Sequence, residues 1–446
     1  MNGPGQFRFR TSRCIGCETC VMACRVAHQA TQTLPWRRVS TCNGLGLPGL
    51  PVLHLSLACL HCRQPACLEH CPAGAYRRDP ATGAVIHRPE RCLGCQYCTW
   101  VCPFDAPRFD PGRGTVAKCD FCQERQVRGL EPVCVARCPV DALGLEPRGE
   151  GQPGAAPPGF PICGLGPAIR FEPGQRPGPL LTAPPDAGIL ARWRRALVRV
   201  AEPGFHARGE WPLVGFTTLL AVLVAALATA ATGAGRILPV PLPWPLLPWA
   251  AVVCLSLSAF HLGHPERAWR ALGNLRRSWL SREVALVMGF LVLGGLGRMP
   301  GPWARGLEWA SVAAGAAALF AVDRVYQVAA RTSRLDFHSA HVLLNGLYLT
   351  GLLAGCWPLA GLAGVLKAGL YLSRKVHFRR SGRGVRPTLS ALRILLGFLL
   401  PALLFGSGAA VLGAILGDLL DRWEFYGELR FPSADRQMAE DLQGMG

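Results

Sequence analysis

The sequence predicts two unlike domains in one chain: a small α+β domain organised around cysteines, then an all-α domain of about eight membrane-crossing helices. Three observations carry this. Of the 20 cysteines, 17 lie before residue 139. Apolar segments, several of about 20 residues, recur between 209 and 430, and that length spans a bilayer. A stretch rich in proline and glycine separates the two regions. Hydrophobic residues make up 50% of the 446, charged residues 17%, and the mean hydropathy is +0.24, which excludes a disordered chain. The cysteines are too sparse overall for a small disulfide scaffold. The expected boundaries are 1–145, 146–208 for a connector, 209–430, and a polar tail over 431–446.

The cysteines fall into four groups of four. Cys14, Cys17, Cys20 and Cys24 follow C-x2-C-x2-C-x3-C, and Cys92, Cys95, Cys98 and Cys102 repeat it. Cys59, Cys62, Cys67 and Cys71 carry a two-residue insertion, and Cys119, Cys122, Cys134 and Cys138 a longer one. The uninterrupted spacing is that of bacterial ferredoxins. Three thiolates wrap one cubane of iron and sulfide, amide N–H groups point at its sulfurs, and the fourth cysteine serves the other cluster of a pair. Pro72, Pro103 and Pro139 follow the last cysteine of their groups; Arg25 takes that place in the first. Zinc ribbons use paired knuckles and do not ask for three cysteines in seven residues. Iron–sulfur ligation is therefore expected, with Cys42, Cys163, Cys254 and Cys356 left as ordinary thiols.

This half resembles the four-cluster, ferredoxin-like electron-transfer subunits of molybdopterin oxidoreductases, such as those of dimethyl sulfoxide reductase, polysulfide reductase and formate dehydrogenase. The resemblance covers residues 6–142 and part of the tail to about 180. It implies nested cluster ligation: Cys14, Cys17, Cys20 with Cys138; Cys119, Cys122, Cys134 with Cys24; Cys59, Cys62, Cys67 with Cys102; and Cys92, Cys95, Cys98 with Cys71. Some relatives lack a cysteine at the position of Cys98 and hold a three-iron cluster; this chain keeps it, so four [4Fe-4S] clusters are implied.

The formal charge of +19 falls to about +11 if sixteen thiolates hold four clusters of about −2 each. The arginines sit mainly between apolar segments, which fits a membrane better than a nucleic acid. MNGPGQFRFR has no apolar h-region, so no secretory signal is expected. Arg37-Arg38 lacks a following hydrophobic stretch and reads as a surface loop.

Residues 146–187 show no apolar period and read as an extended or flexible connector. Next, Ile189, Leu190, Trp193, Leu197 and Val200 share a helical face, with Arg192, Arg194, Arg195 and Arg199 around the rest. This fits a basic interfacial helix at lipid headgroups.

Expected spans are 211–234, 242–262, 283–297, 306–326, 337–357, 359–373, 388–405 and 408–426; seven would result if 388–426 only kinks. On one side the flanks and loops hold 22 Lys and Arg, on the other 3. The positive-inside rule then puts both termini and the cysteine domain in the cytoplasm of a multi-pass bacterial or archaeal inner-membrane protein.

A second resemblance lies in EWPL (210–213), SAFHLGHPERAWRALGNLRRSWLSREV (258–284), Arg324-Val325-Tyr326 and GDLLDRWEFYGEL (417–429). These are similar to the membrane anchor of dimethyl sulfoxide reductase, a family of eight helices that binds quinone, carries no haem and is shared with cytoplasm-facing sulfite dehydrogenases. The chain thus looks like an iron–sulfur subunit and an anchor joined end to end, with the molybdopterin catalytic subunit on another chain. No catalytic residue is expected here. Intramembrane ionisable residues default to functional candidates. His261 and Glu283 match the His and Glu implicated in the family's quinol site: Glu283 would exchange a proton and His261 would hydrogen-bond a quinone oxygen. Against this, Glu283 could be a first-turn helix carboxylate and His261 a core histidine. Arg267 and Arg324 are weaker quinone candidates. Asp418 and Arg422, four apart, read as an internal ion pair. His338 and His341, one turn apart, are poorly spaced to bracket a haem, and none is expected.

The combined expectation is a subunit that passes electrons between the quinone pool and a molybdopterin partner, with sulfite oxidation preferred and S- or N-oxide reduction as the alternative. A membrane iron–sulfur sensor and a proton-coupling module are the readings of another class. The second is disfavoured because no carboxylate chain is visible along the spans.

Overall fold

The computed structural model describes residues 3–28, 34–42, 52–149, 156–157, 160–161, 163–172, 210–234, 246–329, 339–380 and 386–428. Contacts divide the chain into one unit of Met1–Gly204 with Phe431–Gly446, and a second of Phe205–Arg430.

The first unit contains short elements threaded between cysteine turns. In order they are β1 (Gly5–Arg10), α1 (Thr19–Ala27), β2 (Arg38–Cys42), β3 (Leu53–Leu57), α2 (Ala66–Glu69), β4 (Tyr76–Arg78), β5 (Val85–His87), α3 (Tyr97–Trp100), β6 (Arg108–Asp110), β7 (Thr115–Ala117), α4 (Gln123–Val127), α5 (Val133–Ala136), β8 (Leu143–Pro147) and β9 (Ile169–Glu172). β1 is central in a three-stranded sheet, antiparallel to β8 (Phe7 opposite Leu145) and parallel to β9 (Phe7 opposite Ile169). Three antiparallel strand pairs, β2–β3, β4–β5 and β6–β7, make up the rest of the β structure among the described residues. The alternation in QFRFR explains β1's place: Phe7 and Phe9 are buried and meet Phe121 and Phe171 edge-on, while Arg8 and Arg10 turn to Asp141 and Glu172.

Two expectations change here. The segment expected to be connector contains β9, and Phe160, Ile169 and Phe171 belong to the core of this unit. Four residues, IRFE, gain their pairing from β1, a partner about 160 positions away, so no local signal announces them. Arg37-Arg38 is no surface loop either. Arg37 is 2% exposed and donates to Ser56 Oγ at 3.1 Å, and Arg38 opens β2 and pairs with Asp105 at 2.7 Å.

The second unit is helical: α6 (Trp211–Thr232), α7 (Leu246–Phe260), a 3-10 segment (Pro265–Asn274), α8 (Trp279–Leu296), α9 (Ala304–Ala329), α10 (Val342–Leu353), α11 (Trp357–Arg380), α12 (Pro387–Leu403) and α13 (Gly408–Glu428). Three helices, Trp211–Thr232, Trp279–Leu296 and Ala304–Gln327, are long and apolar enough to cross a membrane; Pro248–Phe260, Val342–Leu353 and Pro387–Leu403 are shorter apolar helices. Small residues set the closest approach of α12 and α13, as is usual between helices in lipid: a Cβ on Gly417 would stand 2.4 Å from Gly397 Cα. α12 carries a π turn at Leu395–Leu399. Pro401 has no N–H to offer the Gly397 carbonyl four residues back; Tyr348 Oη of α10 donates to it instead at 3.1 Å. The expected interfacial helix at 189–200, His338 and the tail at 431–446 lie outside the described residues.

Candidate functional site

The four cysteine groups share one backbone device. In each opening Cys-x-x-Cys turn the residue before the second cysteine takes a left-handed conformation: Gly16, His61, Gly94 and Phe121. After three of the fourth cysteines, the third residue on does the same: Gly74, Asp105 and Asp141. A side chain in this region costs on the order of 1–3 kcal/mol, so its recurrence at His61 and Phe121 marks turns over-determined by what they surround. These turns aim amide groups at sulfur: Ala75 N to Cys71 Sγ, Gly94 N to Cys92 Sγ, Phe121 N to Cys119 Sγ and Ala142 N to Cys138 Sγ, all at 3.2–3.4 Å.

The thiols converge across groups. Cys14, Cys17, Cys20 and Cys138 line a recess of about 320 Å³, and Cys59, Cys62, Cys67 and Cys102 one of about 370 Å³. Cys119, Cys122 and Cys134 share their electrostatic neighbourhood with Cys24, and Cys92, Cys95 and Cys98 share theirs with Cys71. Burial pushes Cys71 up to about 11 and Cys95 and Cys102 up to about 12. Such sulfurs carry thiolate charge only when cations deprotonate them. Convergent thiols, N–H donors and apolar walls together suit iron–sulfur clusters.

Sequence reasoning missed the charges among these cysteines. Lys118 is 3% exposed; its Nζ lies 3.3 Å from Cys59 Sγ, donates to Cys119 O at 2.8 Å and also to Val85 O. Arg37 faces Cys20, Cys24, Cys119 and Cys134. His61 stacks on Phe121 and accepts a hydrogen bond from Val85 N at 2.9 Å; burial, then Lys118 and Arg148, hold it neutral, well below the usual histidine range. His28 Nε2 stands 3.4 Å from Cys122 Sγ. The Lys-Cys adjacency at 118–119 was the available signal for Lys118.

In the helical unit Ser278 caps α8 by accepting from Ser281 N at 3.3 Å. Glu283 is therefore the fifth residue of the helix, past its first turn, so the helix dipole does not account for it. It is 7% exposed, and Arg422 and Asp323 are the charges that act on it. His261 follows α7 with Nδ1 buried and without a hydrogen-bond partner among the described residues, while the ring lies against the Ser258 backbone. Arg267, in the 3-10 segment, stands 3.5 Å from Glu266, and Arg324 donates to Gln327 at 2.7 Å beside the Trp279 ring. His341 precedes α10, 3.5 Å from Asp323.

The expected Asp418–Arg422 pair does not form. Asp418 pairs with Lys367 and lies 3.3 Å from Arg393, while no Arg422 guanidinium nitrogen has a hydrogen-bond partner among the described residues. Asp418 belongs to a ladder between helices. Arg393 reaches Asp421 at 3.3 Å, Arg374 reaches Asp421 at 2.8 Å, and Lys375 reaches Glu424 at 3.0 Å and Glu428 at 2.7 Å. Four cations of α11 and α12 thus meet four carboxylates of α13. These four carboxylates lie on one helix over Asp418–Glu428, each paired with a cation, a ladder that the sequence reading did not anticipate. Arg324, Arg374, Lys375 and Arg422 also leave the tally of loop charges, which stays strongly one-sided without them.

The 4Fe-4S dicluster domain family matches residues 51–148, and the DMSO reductase anchor subunit (DmsC) family matches residues 251–372. Among curated proteins, the chain is 37% identical over 150 residues to an anaerobic dimethyl sulfoxide reductase chain of Haemophilus influenzae, covering 32% of this chain and 73% of the relative. It is 38% identical over 154 residues to the formate dehydrogenase iron-sulfur subunit of Wolinella succinogenes (30% and 76%). It is 31% identical over 150 residues to a sulfite dehydrogenase subunit of Allochromatium vinosum (29% and 62%).

Proposed function

The chain belongs to the dimethyl sulfoxide reductase iron–sulfur subunit family, fused to that enzyme's anchor domain, and on that premise we propose that it passes electrons between membrane quinone and a molybdopterin catalytic subunit on another chain. The observation that carries this is the convergence of cysteines from different groups around common recesses in a chain that also bears the anchor domain.

Sixteen cysteines would hold four [4Fe-4S] clusters in the nested pairing, and the clusters supply one-electron relay when bound. Backbone amides at the left-handed turns steady the sulfur charge, and Lys118 and Arg37 offset it. In the helical unit, Glu283 exchanges protons with quinone and His261 offers its unpartnered Nδ1 to a quinone oxygen; Arg267 and Arg324, already partnered, hold the adjacent loop and helix. Each predicted apolar segment overlaps one of the eight helices named above, three of them long and apolar enough to cross a membrane, and that overlap is the support for eight crossings. The one-sided loop arginines support a cytoplasmic cluster domain.

That orientation favours sulfite oxidation: sulfite and water give sulfate, two protons and two electrons, and quinone takes up two electrons and two protons. Similarity to the dimethyl sulfoxide reductase relative favours the reverse flow, from quinol to an S- or N-oxide. Sulfite-dependent quinone reduction in inside-out and right-side-out vesicles, from cells with and without this chain, separates them. Chain-dependent activity confined to inside-out vesicles is expected. Activity with dimethyl sulfoxide and quinol, and none with sulfite, would replace the first reading by the second.

A further inference from the structure

Among the described residues of the helical unit, Arg422 is the buried cation that the ion-pair ladder leaves over. It is 1% exposed, and Nε, Nη1 and Nη2 have no hydrogen-bond partner among the described residues. In the ladder Lys367, Arg374, Lys375 and Arg393 already balance Asp418, Asp421, Glu424 and Glu428. Of the buried carboxylates outside the ladder, Asp323 is engaged at the start of α10, accepting from Val342 N at 2.8 Å and Leu343 N at 3.1 Å, and Glu283 feels the charge of Arg422 without a hydrogen bond to its guanidinium. A guanidinium held in a membrane domain without partners is costly unless a ligand meets its donors.

Its neighbours describe that ligand. Arg422 acts on Glu283 of α8, and both act on Tyr326 of α9 and Tyr426 of α13. The two tyrosine hydroxyls are hydrogen-bonded to each other, and both rings are buried. The group thus offers a planar fork of donors, one carboxyl able to exchange a proton, and aromatic walls. A flat apolar molecule with oxygens that gain negative charge on reduction fits this chemistry.

We propose that Arg422 is a quinone-binding residue, its guanidinium donating to a quinone oxygen in a site it shares with Glu283, Tyr326 and Tyr426. This rests on the quinone reading above and adds α13 to the site. When quinone takes two electrons from the clusters and two protons by way of Glu283, the Arg422 guanidinium favours the charge that arrives with the electrons.

The test uses membranes containing the full chain with its catalytic partner, and 2-heptyl-4-hydroxyquinoline N-oxide as a fluorescent quinol mimic. Arg422→Gln should weaken binding tenfold or more, and Arg422→Lys should fall between, with unchanged iron–sulfur spectra in both. If both variants bind within twofold of the unaltered protein while Glu283→Gln binds tenfold weaker, Arg422 is excluded and the quinone reading stands. If the unaltered protein binds no mimic, the quinone reading falls and this inference with it. An azidoquinone photolabel needs no variant: modification of the 408–428 peptide is expected, and labelling confined to other helices overturns the proposal.

Discussion

Arg374 Nη2 of α11 donates to Asp421 Oδ1 of α13 at 2.8 Å, with side chains 3% and 1% exposed. The pair sits mid-ladder, and Ser339 Oγ adds a second donor to Asp421 at 2.9 Å. Removing one member of a buried pair strands the other charge, at a cost of about 3–5 kcal/mol, whereas replacing both with apolar groups is often close to neutral. Asp421→Asn should therefore lower the unfolding temperature of the purified protein sharply, and Arg374→Met with Asp421→Leu should recover much of the loss. Equal losses in the single and double variants would mean that the ladder is not held by charge pairing.

Lys118 places a buried cation 3.3 Å from Cys59 Sγ. A cluster there gains negative charge on reduction, so the lysine favours the reduced form. A unit charge this close to the cluster sulfurs, at an effective dielectric of about 20, acts by roughly a few kcal/mol, on the order of 100 mV for one electron. Lys118→Met should lower the potential of one cluster by that order in an EPR-monitored redox titration and leave the cluster count intact. An unmoved potential would show that solvent or counter-charge already screens the site.

Parts of this architecture were open to a sequence reading because their chemistry is local. Three cysteines in seven residues answer to one cluster, and the apolar runs answer to lipid thickness. Other parts were closed to it. Asp418 and Arg422 have helix-pair spacing, yet the partners of Asp418 lie on α11 and α12, 51 and 25 residues away. β9 is hidden because its pairing with β1 comes from the other end of the domain. Glu283 was legible as a position, but only the cap at Ser278 shows that it lies beyond the first turn.

Gly417 packs against Gly397 so closely that an added Cβ would meet backbone at 2.4 Å. Backbone cannot yield as a side chain does, so Gly417→Ala should destabilise by about 3 kcal/mol or more and cut the amount of protein in membranes. Gly369→Ala on α11 is the control, since nothing lies within 4 Å of its added Cβ; a gain of up to about 1 kcal/mol is expected there. Normal accumulation of Gly417→Ala would mean that α12 and α13 cross with more room.

The proposed nested ligation would make Cys71 and Cys102 exchange places. Cys102 shares a recess with Cys59, Cys62 and Cys67, although it ends the group that begins at Cys92. Cys71 lies among Cys92, Cys95 and Cys98. Cys102→Ser should therefore perturb the same EPR signal as Cys62→Ser and leave untouched the one altered by Cys95→Ser. Cys71→Ser should behave the other way round. If Cys102→Ser instead matched Cys95→Ser, each cysteine group would be serving its own cluster, the turn after Cys102 would have no reason to bring its sulfur to the recess of Cys59, and the pairing would have to be redrawn throughout the domain.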